Sequence, residues 1–135
     1  MDDDHGLRDL RRQLHRIPEL GFAEHATHAL LREPLSRLGV PDAIAGTGLV
    51  LDLGPPEASR MLLLRADMDG LPIQEENAVD YASTHPGCMH ACGHDAHMAA
   101  LIAAGQGLHG GLPSGWRVRL LFQPAEEGAG GAARV

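Results

Sequence analysis

Two apolar runs that stop abruptly on acids constrain this chain more than any other feature. RMLLLRADMDG (60–70) is apolar almost without interruption until Asp67 and Asp69, and WRVRLLFQPAEE (116–127) runs to Pro124 and then to Glu126 and Glu127. A short apolar run bounded by turn residues has the pattern of a strand buried on both faces. Between the two, DAHMAALIAAGQGL (95–108) is helical in pattern and ends at Gly105 or Gly107. Strand, helix, strand is a βαβ unit, and such a crossover makes its two strands parallel.

The rest of the chain fits around that unit. Leu7, Leu10, Leu14 and Ile17 recur at three- and four-residue spacing, which is one face of an amphipathic helix, broken by Pro18 and Gly21. A second helix is expected from Glu24 to Leu38, with Pro34 kinking or splitting it. TGLVLDLG (47–54) reads as a further strand, GPPEAS as a turn, and Leu71 to Met89 as a loop. The glycine-rich GAGGAARV end has no lysine to make it a phosphate loop and reads as the opening of another helix. The expected fold class is α/β: a mostly parallel central sheet flanked by helices, in a single domain without internal repeats or a dividing linker.

Composition narrows the chemistry. A net charge of −7 argues against a nucleic-acid partner, because phosphate binding needs clustered positive charge. All eleven basic residues are arginine, which removes Schiff-base lysine chemistry and a P-loop together. The acidic start MDDDHGLRDL lacks the pattern of a secretory signal, and the longest apolar runs are far short of the ~20 residues that span a bilayer. Cys88 and Cys92 are too close in sequence for a plausible disulfide, so a reduced, cytoplasmic chain is expected.

In open α/β sheets ligands bind beyond the carboxyl ends of the parallel strands. Asp67 and Asp69 fall at one such end, Glu126 and Glu127 at another, and MHACGHDAHM (89–98) leads into the helix between them. Thiolate and imidazole suit Zn²⁺ and similar divalent ions, and a carboxylate can complete the set. Cys92 and His94, two apart on an extended approach to the helix, are therefore candidate metal ligands. Adjacent carboxylates leaving a strand end diverge, so one of Glu126 and Glu127 can bind metal while the other stays free to take a proton from a metal-activated water. Asp69 suits the orienting of a ligating histidine or the capping of a turn. His97 is read as packing or hydrogen bonding behind the site, His90 stays open between these roles, Cys88 is a plain thiol, and His85 and His109 face solvent. No serine sits in a nucleophile motif, and a Cys92 nucleophile would leave the acidic strand ends unexplained.

LHRIPELGFAE, LRADMDGLPIQE, GCMHACGHDAHMAALIAA and LLFQPAEEGAGGA together resemble, in order, the metal-dependent amidohydrolases related to aminoacylase and carboxypeptidase. The similarity is to the branch with hippurate hydrolase, auxin-conjugate hydrolases and bacterial N-acyl-amino-acid deacylases. The resemblance implies a dinuclear Zn or Mn centre in an α/β catalytic domain that splits N-acyl amino acids into a carboxylate and an amino acid. It implies Cys92, His94 and Glu127 as metal ligands, Glu126 as general base or acid and Asp69 as a supporting acid. Asp67 stands where some relatives place a ligating histidine. In that family the chain continues past PAEE with two more histidine ligands, a smaller dimerising domain and the end of the sheet. Residues 1–135 thus match the N-terminal part of one catalytic domain, whose three ligands suffice for one ion rather than two. The expected partner is a small N-acyl amino acid, with no membrane and no nucleic acid. An incomplete sheet also predicts self-association through its open edge. The competing expectations are an inactive metal-binding fragment and, more remotely, a thiol-based redox or zinc sensor.

Overall fold

The computed structural model describes residues 3–128 and 130–135. In chain order it forms α1 (Asp3–Arg16), α2 (His25–Ser36), β1 (Asp42–Ile44), β2 (Gly48–Leu53), β3 (Arg60–Asp67), α3 (His94–Leu108), β4 (Trp116–Gln123) and a short 3-10 helix, Gly131–Arg134. The strands make one open sheet in the order β1-β2-β4-β3. Among the described residues only β3 and β4 are parallel, and they are the pair joined through α3. β1 with β2 and β2 with β4 are antiparallel. The α/β class and the βαβ unit stand, but the sheet is mixed rather than mostly parallel. β1 and β2 are joined by a tight turn, and β2 then lies antiparallel beside β4, with β3 and α3 between them in the chain.

Register explains where the core lies. Leu49, Leu51 and Leu53 of β2 stand opposite Phe122, Leu120 and Val118 of β4, which in turn face Ala66, Leu64 and Leu62 of β3. Side chains alternate across a strand, so these rows share one face of the sheet. Leu10 and Leu14 of α1, Leu31 and Leu35 of α2, and Met98, Leu101 and Ile102 of α3 pack with them into a single cluster. All three helices therefore cover the same face. Gly105 lets α3 come close, since a Cβ there would lie 2.6 Å from Leu120 Cδ1. The other face carries Val50, Leu121 and Arg65 in one row and Asp52, Arg119 and Leu63 in the next. Arg119 pairs with Asp52 through two hydrogen bonds of 2.7 Å there.

That arrangement corrects one expectation. RMLLLRADMDG is not buried on both faces: Met61, Leu62 and Leu63 are 48%, 44% and 50% exposed. β3 is the last strand of the sheet, and among the described residues no helix covers the face that carries Met61 and Leu63. Leu62 lies on the helix side but outside the core cluster, and only Leu64 and Ala66 of β3 turn well into the core. Strand β1 was not expected at all. It is three residues long and turns into β2 through Ala45 and Gly46, both in left-handed backbone, without the Asn-Gly or Asp-Gly signal that usually marks a hairpin. Pro34 is accommodated inside α2. Among the described residues no helix is long and apolar enough to cross a membrane.

Candidate metal centre

Three segments meet at the carboxyl end of the parallel pair. β3 delivers Asp67 at its last residue, β4 leads through Pro124 and Ala125 to Glu126, and α3 begins with His94. One donor atom from each of Asp67, His94 and Glu126 lies within 4.8 Å of the other two. His94 is buried, whereas the Glu126 side chain is 40% exposed. Two carboxylates and an imidazole are a donor set that suits a divalent ion such as Zn²⁺ or Mn²⁺.

His94 is oriented for that purpose. Its Nδ1–H donates to the backbone carbonyl of Asp69 at 2.8 Å, which leaves Nε2 turned toward Glu126 Oε2, 4.0 Å away. A second bond that fixes one ring nitrogen is the usual way to present the other to a metal. The Asp69 carboxylate sits 3.5 Å from the same Nδ1, and its other oxygen accepts the Glu127 backbone N–H at 2.8 Å. Asp69 therefore ties the strand end, the histidine and the PAEE turn together. Hydrogen bonding to Asp69, against the opposing effect of burial, raises the His94 pKa to about 9. Burial pushes Asp69 up, but the His94 ring nearby and the hydrogen bond from the Glu127 N–H outweigh it and hold the carboxyl below its ordinary value. Asp69 Oδ1 is nonetheless buried without a hydrogen bond, an orphaned acceptor beside the proposed ligands. The residues fit a divalent cation, which would attract this concentration of negative charge and take the place of the His94 proton.

The other expected residues are placed unequally. The approach to α3 is a turn, not an extended segment: Gly93 N–H donates to the His90 carbonyl at 3.2 Å, and Gly93 itself is left-handed at φ 80. Cys92 is thus exposed while His94 is buried, and its thiol lies outside the Asp67, His94 and Glu126 group. Hydrogen bonding toward the Glu127 carboxylate, ahead of desolvation and the other nearby acids, raises the Cys92 pKa. His97 is exposed, its ring 6.0 Å from that of His94, and it does not pack behind the site. His90 is buried with both ring nitrogens unpartnered, and burial lowers its pKa to about 4. Cys88 is a buried free thiol whose pKa burial raises. His109 is exposed as expected, but His85 hydrogen-bonds the Pro18 carbonyl at 2.7 Å instead of facing solvent freely.

Sequence reasoning passed over the acids that hold the site from behind. Asp95, fully buried next to His94, binds Arg11 Nε at 2.8 Å and His15 Nδ1 at 2.7 Å. The second nitrogen of His15 faces Glu75 at 3.1 Å. Glu24, also fully buried, accepts the Ala125 backbone N–H at 2.8 Å. Only the place of Asp95 at the end of MHACGHD and of Glu24 at the end of PELGFAE hinted at such roles.

Comparison with known proteins adds the family. The model of peptidase family M20/M25/M40 matches residues 63–135, the stretch that contains every proposed ligand. The chain belongs to this family. An N-acetyl-L-cysteine deacetylase of Bacillus subtilis is 44% identical over 133 residues, which cover 96% of this chain and 32% of that protein. An IAA-amino acid hydrolase of Arabidopsis thaliana is 44% identical over 130 residues, 93% of this chain and 29% of its own length. The crystal structure of a dinuclear metal-binding M20 peptidase from Bacillus subtilis superposes with a TM-score of 0.88 at 38% identity, over 97% of this chain and 38% of that one. This M20 chain thus spans about a third of the length of the curated relatives it matches.

Proposed function

We propose that this chain carries the metal-binding and proton-handling part of an amidohydrolase that splits N-acyl amino acids into a carboxylate and an amino acid. The observation that carries the reading is the meeting of Asp67, His94 and Glu126 donors within 4.8 Å at the strand ends of an M20 chain. The names of its relatives support it, since N-acetyl-L-cysteine deacetylase and IAA-amino acid hydrolase both describe enzymes of acylated amino acids. The family also supplies hippurate-like conjugates as a substrate class to try.

In this reading His94, Glu127 and Cys92 hold a divalent ion, Zn²⁺ or Mn²⁺, and Asp67 offers a further carboxylate. When bound, the ion supplies Lewis acidity toward the scissile carbonyl and makes water a better proton donor. Glu126 is exposed enough to reach substrate, accepts the proton of the attacking water and returns it to the leaving amine nitrogen. Asp69 keeps the His94 ring turned, and the neighbouring helix start keeps it buried. The two free thiols support a reducing, cytoplasmic setting. The exposed β3 edge supports pairing with a second copy.

The test is amino-acid release from a panel of N-acyl amino acids by the purified chain with Mn²⁺ or Zn²⁺. We expect turnover that drops on the order of 10²-fold or more in Glu126→Gln, with the ion still bound. Folded, ion-loaded protein without turnover would instead favour a metal-binding module without catalysis.

A further inference from the structure

Where Glu126 and Glu127 point depends on one awkward backbone position. Ala125, buried between Pro124 and the two glutamates, has φ 55, the left-handed region that a side chain disfavours. Two hydrogen bonds hold it there. Its carbonyl accepts the Gly131 N–H at 2.9 Å, and its own N–H donates to Glu24 Oε1 at 2.8 Å. The other oxygen of Glu24 accepts the Thr47 hydroxyl.

Glu24 precedes α2 and occupies the position from which a side chain normally caps a helix, yet it makes no such bond. Glu19 takes that role, accepting the backbone N–H groups of Ala26 and Thr27 at 3.0 and 2.8 Å. The two glutamates of PELGFAE therefore divide the work: one caps α2, and the other is free to reach a residue 101 positions away. Among the described residues no cation pairs with Glu24. Its buried carboxylate relies on two neutral donors and on the positive end of the α2 dipole.

We infer that Glu24 is a positioning residue for the metal site, holding the Ala125 turn and so aiming Glu126 and Glu127 at His94. The inference rests on the metal-site reading above. The plain alternative is that Glu24 only fastens the start of α2 to the β1–β2 turn through Thr47. The two are separable because Thr47→Val breaks that fastening and leaves the Ala125 bond intact. Glu24→Gln keeps both contacts, its carbonyl accepting from Ala125 and its amide donating to Thr47. Glu24→Ala loses both.

The experiment is calorimetric titration of the chain and these variants with Mn²⁺ alone, with thermal unfolding followed in parallel. Positioning predicts that Glu24→Ala weakens Mn²⁺ binding about tenfold or more, as loss of a partner behind a metal ligand usually does. Thr47→Val should bind as the parent does even where it melts earlier, and Glu24→Gln should restore near-parent affinity. Equal losses in Glu24→Ala and Thr47→Val, or none in either, would overturn the inference. Should Glu24→Ala fail to fold, Glu24→Asp replaces it, being one methylene too short to reach Ala125, with the same expected loss. His94→Ala serves as the reference: unchanged Mn²⁺ binding there would defeat the metal-site reading itself, and Glu24 positioning with it.

Discussion

At the scale of single residues, the chain invests its buried charge in joining distant segments. His15 on α1 faces Asp95 of α3 on one nitrogen and Glu75 of the 71–89 loop on the other, partners 80 and 60 positions away. Both ring nitrogens of His15 are thereby engaged by carboxylates, so one side chain ties three segments together. Glu75 also accepts the Ser83 N–H at 2.6 Å and the Asn77 amide at 3.1 Å. Burial pushes its carboxyl up, but the Ser83 N–H and His15 outweigh that and hold it below the usual 4.5. A carboxyl depressed on folding adds stability above its unfolded value, and that stability is lost as pH falls through the folded one. The urea midpoint should accordingly drop as pH falls below about 4.5, and drop less in Glu75→Gln. Parallel pH curves for the two proteins would show that Glu75 contributes nothing of the kind. None of this was legible in the sequence, where Glu75 was one of two adjacent acids in a loop, because contact at such separation is decided by how the elements pack.

Among the elements, the informative case is β3. Its apolar run and acidic stop correctly marked a strand whose end reaches the site, and α3 and β4 were placed to within a few residues by their own patterns. What the run could not reveal was its place in the sheet, since a fully covered strand and an edge strand with one bare face can share the same apolar letters. The unpaired side of β3 leaves backbone N–H and C=O groups free beside Met61 and Leu63. Such an edge templates pairing with another chain unless a charge interrupts it. Sedimentation equilibrium should find self-association of the parent that Leu63→Lys weakens at least about tenfold, roughly 1.4 kcal/mol. Association of equal strength in the variant would place the contact elsewhere. The turn at Ala45–Gly46 and the left-handed Gly93 were unreadable for a related reason: each depends on a backbone angle that the neighbouring residue types do not demand.

For the molecule as a whole, three separate segments of the sequence pointed to one sheet end, and the fold brings Asp67, Glu126 and His94 together there. Legibility was greatest where chemistry and periodicity coincided, as in the placing of His94 at a helix start and of the acids at two strand ends, although the sequence left the role of Asp67 open. It was least where a residue acts through another, as Glu24 does through Ala125 or Asp95 through the start of α3. The chain covers about a third of its curated relatives, and its helices cover one face of the sheet. The candidate site draws on two strand ends and one helix start of this chain. The most direct test of that claim is anomalous diffraction from crystals of this chain soaked in Zn²⁺. The account predicts an anomalous peak within bonding distance of His94 Nε2, with carboxylate oxygen from the strand ends completing its contacts. A peak elsewhere on the molecule, or no peak from ordered crystals, would contradict it.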